Sequence, residues 1–193
     1  MLQASKMAEI ADKLLKYDLD ITALQEIRRK GYGRLKRPGY TRIVLYTGAE
    51  KQGEKGVGLI IKRSMENSII DFEPISSRLC KVRSKGKFYN TTVVNAYAPT
   101  ESAKEEEKEQ FYEDLNRCCD QIPKHDALLI LGDINAKIGK EPANQSVAGQ
   151  HTLHEETSEN GLILCQFAEA NELIISSTKI LIKVPGMIQQ EEQ

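Results

Sequence analysis

No run of apolar residues approaches the roughly 18 that a membrane span requires, so no membrane partner is expected. Charge of one sign is also lacking. Lys and Arg number 27 against 28 Asp and Glu, and a net charge of −1 exerts no global pull on nucleic acid. If nucleic acid is bound, local patches supply the attraction. Cysteine is scarce: Cys80, Cys118, Cys119 and Cys165 form no CxxC pair, and the adjacent Cys118 and Cys119 are poor disulfide partners. With no signal peptide, this pattern points to a soluble protein in a reducing intracellular compartment, nuclear or cytoplasmic. No repeat or low-complexity tract is present. What remains is ordinary globular composition, 40% hydrophobic and 28% charged over 193 residues, sized for one domain with its own core.

The most informative stretch runs from Ala127 to Gly139. Ala127-Leu128-Leu129-Ile130-Leu131 reads as a strand buried on both faces, and Gly132 then lets the backbone turn sharply. Asp133 and Asn135 follow where the mouth of an open α/β sheet would lie. Two readings stand: an Asx-type turn closing the strand, or a carboxylate for metal or water beside an amide that donates to phosphate.

Earlier in the chain, Met7, Ile10, Ala11, Leu14 and Leu15 have the spacing of an amphipathic helix. Ile21 to Gln25 then reads as a buried strand with an acid, Glu26, at its exit, repeating the logic of the Asp133 stretch. Arg28, Arg29, Lys30, Arg34, Lys36 and Arg37 crowd the next segment among Gly31, Gly33 and Gly39. It reads as a mobile loop, either solvated or meeting a polyanion. Short antiparallel strands are predicted over 40–47, 56–62, 68–72, 79–83 and 88–96. Lys81, Arg83, Lys85 and Lys87 alternate there, so one face is basic, either plain surface or a contact for nucleic acid. Pro99 stops the last of these strands and holds Tyr97 at the rim, as a phosphate donor or as a packed aromatic. Residues 101–120 form a helix with Phe111, Leu115 and Cys118 inward and its acids in water. Residues 144–158 are polar and loop-like; His151 and His154, three apart, read as part of a flexible loop or, if helical, as a metal-binding pair, and His125 is a loop residue. A helix opens at Asn160-Gly161, and a short strand spans 173–176.

Four pieces in this order carry a resemblance: Leu24-Gln25-Glu26-Ile27-Arg28, Asn95-Ala96-Tyr97-Ala98-Pro99-Thr100, Gly132-Asp133-Ile134-Asn135-Ala136 and Ser158-Glu159-Asn160-Gly161. The ordered set resembles the endonuclease/exonuclease/phosphatase superfamily. It is most similar to the apurinic-type endonuclease domain of non-LTR retrotransposons and the craniofacial development protein 2-like sequences. The resemblance implies an α/β fold, a four-layered α-β-β-α sandwich of two mixed, mainly antiparallel sheets flanked by helices, incomplete at both termini. It implies a domain over residues 1–178 and a divergent tail over 179–193. By position it makes Glu26 the metal ligand, for Mg²⁺ or Mn²⁺, and Tyr97, Asp133 and Asn135 the catalytic residues. Arg28, Thr100 and Asn160 are the substrate-binding candidates; at Thr100 some members have Asn.

Departures from the family pattern carry their own expectation. The family's Asn-bearing first strand, its Trp-containing segment and its closing Asp-His strand have no counterpart here; the chain holds no Trp and no His after His154. A fragment or decayed element is therefore expected, with its catalytic His missing. The implied reaction is metal-assisted hydrolysis of a DNA phosphodiester, impaired by those losses. Two alternatives remain: a non-catalytic module binding nucleic acid or protein, with self-association through exposed sheet edges, or a phosphatase for a small phosphoester.

Overall fold

Four short strands build the smaller of two sheets in the computed structural model, which describes residues 10, 13–14, 19–36, 41–50, 55–149, 152–177 and 180–183. They are β1 (Ile21–Leu24), β2 (Tyr32–Lys36), β3 (Arg42–Thr47) and β4 (Val57–Lys62), in the order β1-β4-β3-β2 and antiparallel throughout. The larger sheet contains β5 (Ile69–Pro74), β6 (Leu79–Ser84), β7 (Thr91–Tyr97), β8 (Ala127–Asp133), β9 (Ile174–Ser177) and β10 (Ile180–Lys183). Its order is β5-β6-β7-β8-β10-β9, and β7–β8 is its parallel pair. A parallel pair needs a long crossover, and α1 (Glu105–Asp120) lies in that connection.

Strand alternation sets the layers. Ile43, Leu45, Leu59 and Ile61 of one sheet meet Cys80, Val82 and Val93 of the other, with Leu129 and Leu131 of β8 packed on them. On the far side of the smaller sheet, Val44 and Ile60 pack with Ile10 and Leu14, both helical. Across the larger sheet, Leu79, Val94, Leu128 and Ile130 meet Phe111, Leu115 and Cys118 of α1. The same cluster takes Leu164, Phe167 and Ala168 of α2 (Glu159–Ala170). The fold is therefore two sheets face to face with helices outside, as the resemblance implied. Among the described residues no helix is long and apolar enough to cross a membrane.

Several local expectations change. The arginine-rich segment is not a loop throughout: Tyr32–Lys36 is the edge strand β2, paired with β3. Leu35 packs inward while Arg34 and Lys36 reach Glu66, so its alternation is that of a charged edge, which discourages further strand addition. Residues 180–183, placed in the tail on sequence divergence, form β10 between β8 and β9. The basic face of β6 is neutralised. Lys81 pairs with Glu73 at 2.8 Å, and Arg83 grips the buried Asp126 through two bonds of 2.7 and 2.9 Å. Within the polar 144–158 segment, Gln145–Ala148 forms one helical turn on the buried Val147. Met7, Ala11, Leu15, Arg37, Gly39, Tyr40 and His151 lie outside the described residues.

Candidate active site at the sheet mouth

The carboxyl ends of β1, β7 and β8 open on one side of the molecule, and Asn95 ties them there. Fully buried, its amide donates to Leu24 O at 2.9 Å and Gly58 O at 2.7 Å, across the gap between the sheets. Its Oδ1 accepts from Gln25 Nε2 at 2.9 Å. Asn95 and Gln25 therefore fix where Glu26 leaves the smaller sheet and where Tyr97 leaves the larger one.

Glu26 and Arg28 both have left-handed backbones, φ 53° and 54°, which aim their side chains outward while Ile27 between them is buried. Ile27 N donates to Gly56 O and Arg28 N to Lys55 O, pinning the turn to the next hairpin. Of the five non-glycine residues with positive φ among those described, four belong to this mouth: Glu26, Arg28, Lys55 and Asn135. Each such residue costs on the order of 1–2 kcal/mol, and strain of this kind concentrates at functional sites.

Tyr97 and Asp133 are register partners at the ends of the parallel pair. The Tyr97 hydroxyl donates to Glu26 Oε1 at 3.2 Å, while Arg28 Nη2 holds Glu26 Oε2 at 2.9 Å. Burial pushes the Tyr97 phenol up, and Glu26 and Asp133 push the same way while Arg78 opposes them. Both carboxylates thus act on one hydroxyl, so the acids from distant parts of the sequence do converge. Asp133 Oδ1 accepts from the Asn135 backbone N–H at 3.2 Å, and Asn135 Nδ2 donates to Ala98 O at 2.8 Å. The Asx turn and the site are one structure. Gly132 beneath it, at φ 141°, admits no side chain: a Cβ there would lie 1.9 Å from Ala96 O.

The remaining candidates divide. Arg28 stands at the mouth beside Glu26. Thr100 is exposed, and its hydroxyl lies 3.3 Å from Ser102 Oγ, turned to that neighbour and not to the other site residues described. Asn160 is buried, with Nδ2 donating to Pro99 O at 3.1 Å and Asn135 O at 2.9 Å. It supports the two turns that carry Tyr97 and Asn135. Ser158 caps α2 by accepting from Gly161 N, which accounts for the rest of that motif.

Arg78 and Glu107 were not singled out from the sequence. Arg78 stacks 5.3 Å from the Tyr97 ring, donates to Tyr97 O at 2.9 Å and reaches Glu107 at 2.7 Å. Lys55 also reaches Glu107, at 2.6 Å, and the two cations hold its carboxyl down to about 2. Glu107 is thus no plain water-facing acid of α1. Antiparallel register between β6 and β7 would have put Arg78 beside Tyr97, since Leu79 pairs with Ala96.

A cleft of about 340 Å³ opens beside Asp133 and Asn135, lined also by Glu101, Ala136, Lys137 and Ser158. Among the described residues no three His, Cys, Asp or Glu side chains gather as a metal cage. Glu26 and Asp133 supply hard oxygen donors at the mouth. That donor chemistry fits a divalent cation held by few protein ligands and much water.

Residues 3–151 match the Endonuclease/Exonuclease/phosphatase family. Craniofacial development protein 2 of Bos taurus is 32% identical over 177 residues, covering 92% of this chain and 29% of that protein. The protein of the same name from Tragulus javanicus is 31% identical over 177 residues, covering 92% and 30%. The chain thus spans less than a third of the length of the curated relatives it matches. Among solved structures, the endonuclease domain of TRAS1, a telomere-specific non-LTR retrotransposon, is similar with a TM-score of 0.61 at 14% identity. That match covers 94% of this chain and 80% of the other, and it is a likeness of fold.

Proposed function

The chain belongs to the endonuclease/exonuclease/phosphatase family, and from that premise we propose that its sheet mouth hydrolyses DNA phosphodiesters slowly, with a divalent cation. The observation that carries this reading is the meeting of Glu26, Tyr97 and Asp133 at one mouth, through the hydroxyl on which both acids act. Glu26 is the group that would hold Mg²⁺ or Mn²⁺. When bound, such an ion neutralises charge on phosphoryl oxygens.

Asp133, steadied by the Asn135 N–H and lining the cleft, takes the proton of the attacking water. Asn135 spends one amide N–H on Ala98 O, leaving the other for a non-bridging phosphate oxygen. Tyr97, its phenol held protonated by burial and by the neighbouring acids, gives up its bond to Glu26 to donate to the same phosphate. Arg28 offers a guanidinium fork to the backbone. Among the described residues no histidine hydrogen-bonds to these groups, so Asp133 works without a histidine partner and turnover is slow.

Both Glu26 oxygens are already engaged by protein donors, which favours a second reading: a mouth that binds DNA without cutting it. Plasmid nicking in Mg²⁺ separates the two. Slow nicking that stops with chelator and with Asp133→Asn supports hydrolysis, and Asn135→Ala should slow it on the order of 10²–10³-fold. Nicking undiminished by Asp133→Asn overturns the hydrolytic reading, and salt-dependent binding without nicking establishes the second.

A further inference from the structure

We infer that Lys137 is a phosphate-binding residue of this mouth, taking the DNA backbone phosphate adjacent to the scissile one. The inference rests on the proposed function and extends it to a residue that lies outside the hydrolytic machinery described above.

Three observations carry it. First, Lys137 has a clamped backbone. Its N–H donates to Ser158 Oγ at 3.3 Å, and its carbonyl accepts from Ser158 N at 3.0 Å. Gly161 closes on the same carbonyl, since a Cβ at 161 would lie 2.0 Å from it. The first turn of α2 is thereby locked to the segment that carries Asp133 and Asn135. Second, Lys137 is the cation lining the 340 Å³ cleft that holds both of those residues. Glu101, the other charge at that rim besides Asp133, is turned to the backbone N–H of Asn160 at 3.0 Å.

Third, the neighbouring cations are committed. Lys55 and Arg78 are paired with Glu107 and Lys140 with Glu155, while Arg28, already assigned to the backbone, stands beside Glu26. Lys137 is exposed, and among the described residues no carboxylate pairs with it. An uncommitted ammonium on a rigid backbone, lining the same cleft as the hydrolytic acid, suits a phosphate that must be held near that acid. It acts there as a point charge, indifferent to base sequence.

The test measures affinity for a short duplex between about 50 and 200 mM salt. Wild type, Lys137→Gln and Lys137→Arg are compared, with thermal melts to confirm folding. Removing one phosphate contact lowers the slope of log affinity against log salt by about 0.9, and Lys137→Arg should keep the slope. Where nicking is measurable, Lys137→Gln should raise KM and leave kcat. A steep wild-type slope left unchanged by Lys137→Gln overturns the inference while the proposed function stands. A flat wild-type curve removes the DNA reading itself, and the inference with it.

Discussion

Replacing Asn95 by alanine tests the claim that one buried amide holds the two sheets in register at their mouth. The carboxamide makes three hydrogen bonds, to Leu24 O at 2.9 Å, to Gly58 O at 2.7 Å and from Gln25 Nε2 at 2.9 Å. At about 0.5–1.5 kcal/mol net for each, their loss costs roughly 2–4 kcal/mol. The upper half is expected, because the Gly58 carbonyl is buried and would be left with less company. For a domain of this size each kcal/mol moves Tm by about 2–4 °C, so a fall of about 5–15 °C should be read in a melt. Urea denaturation should show a lower midpoint at unchanged slope, the mark of lost stability rather than of altered compactness.

Asn95→Asp sharpens the test. A carboxylate facing two carbonyl oxygens has no donor to offer, so the folded state keeps its proton while the unfolded state releases it near pH 4. The folded form then binds more protons, and stability falls as pH rises above about 4. If Asn95→Ala costs less than about 1 kcal/mol, water or another group replaces the amide, and the sheets are held by apolar packing alone.

Other consequences follow from the same geometry. Arg83→Met strips the guanidinium from Asp126, whose side chain is 0% exposed, and leaves it Thr92 Oγ1; since Arg83 itself is 29% exposed, a loss of about 3 kcal/mol is expected in urea. Arg83 holds the Asp126 carboxyl below its usual range, so this stabilisation is complete above about pH 4. It fades as pH falls through the depressed folded value, and an acid titration of the variant should lack that loss. Gly132→Ala combines a φ of 141° with a Cβ 1.9 Å from Ala96 O, and should cost at least about 1–3 kcal/mol or prevent folding. A variant that melts with wild type would show that β7 and β8 part there easily. Burial pushes the Cys80 and Cys119 thiols up to about 12 and Cys118 to about 11. At pH 8 the buried Cys80 and Cys118 should react with a thiol reagent only after denaturation, and prompt labelling of either would contradict the packing.

Much of the mouth was legible because its signals are local. A run of five apolar residues, a glycine and an acid make a strand with an acidic exit wherever they fold. That logic located Asp133 and Asn135 directly and Glu26 by repetition. Helix spacing likewise placed Phe111, Leu115 and Cys118 on one side of α1. Polar residues were harder to place, because their meaning lies in a partner far along the chain. Arg83 looks like part of a basic stripe until Asp126, forty-three positions on, is seen beneath it. Asn160, a substrate-binding candidate by resemblance, carries the carbonyls of Pro99 and Asn135 at its amide, which no local pattern announces.

Apolar strands, helix faces and acids waiting at strand ends are encoded locally, since periodicity and backbone stops are written within a few residues. Only the folded chain makes β2 a charged edge, sets β10 between β8 and β9, and brings Lys137 and Asp133 to the lining of one cleft. Those outcomes depend on hydrogen bonds and close approaches between segments distant in the chain. A local pattern of polar residues is compatible with many such pairings, and only the packed backbone selects one.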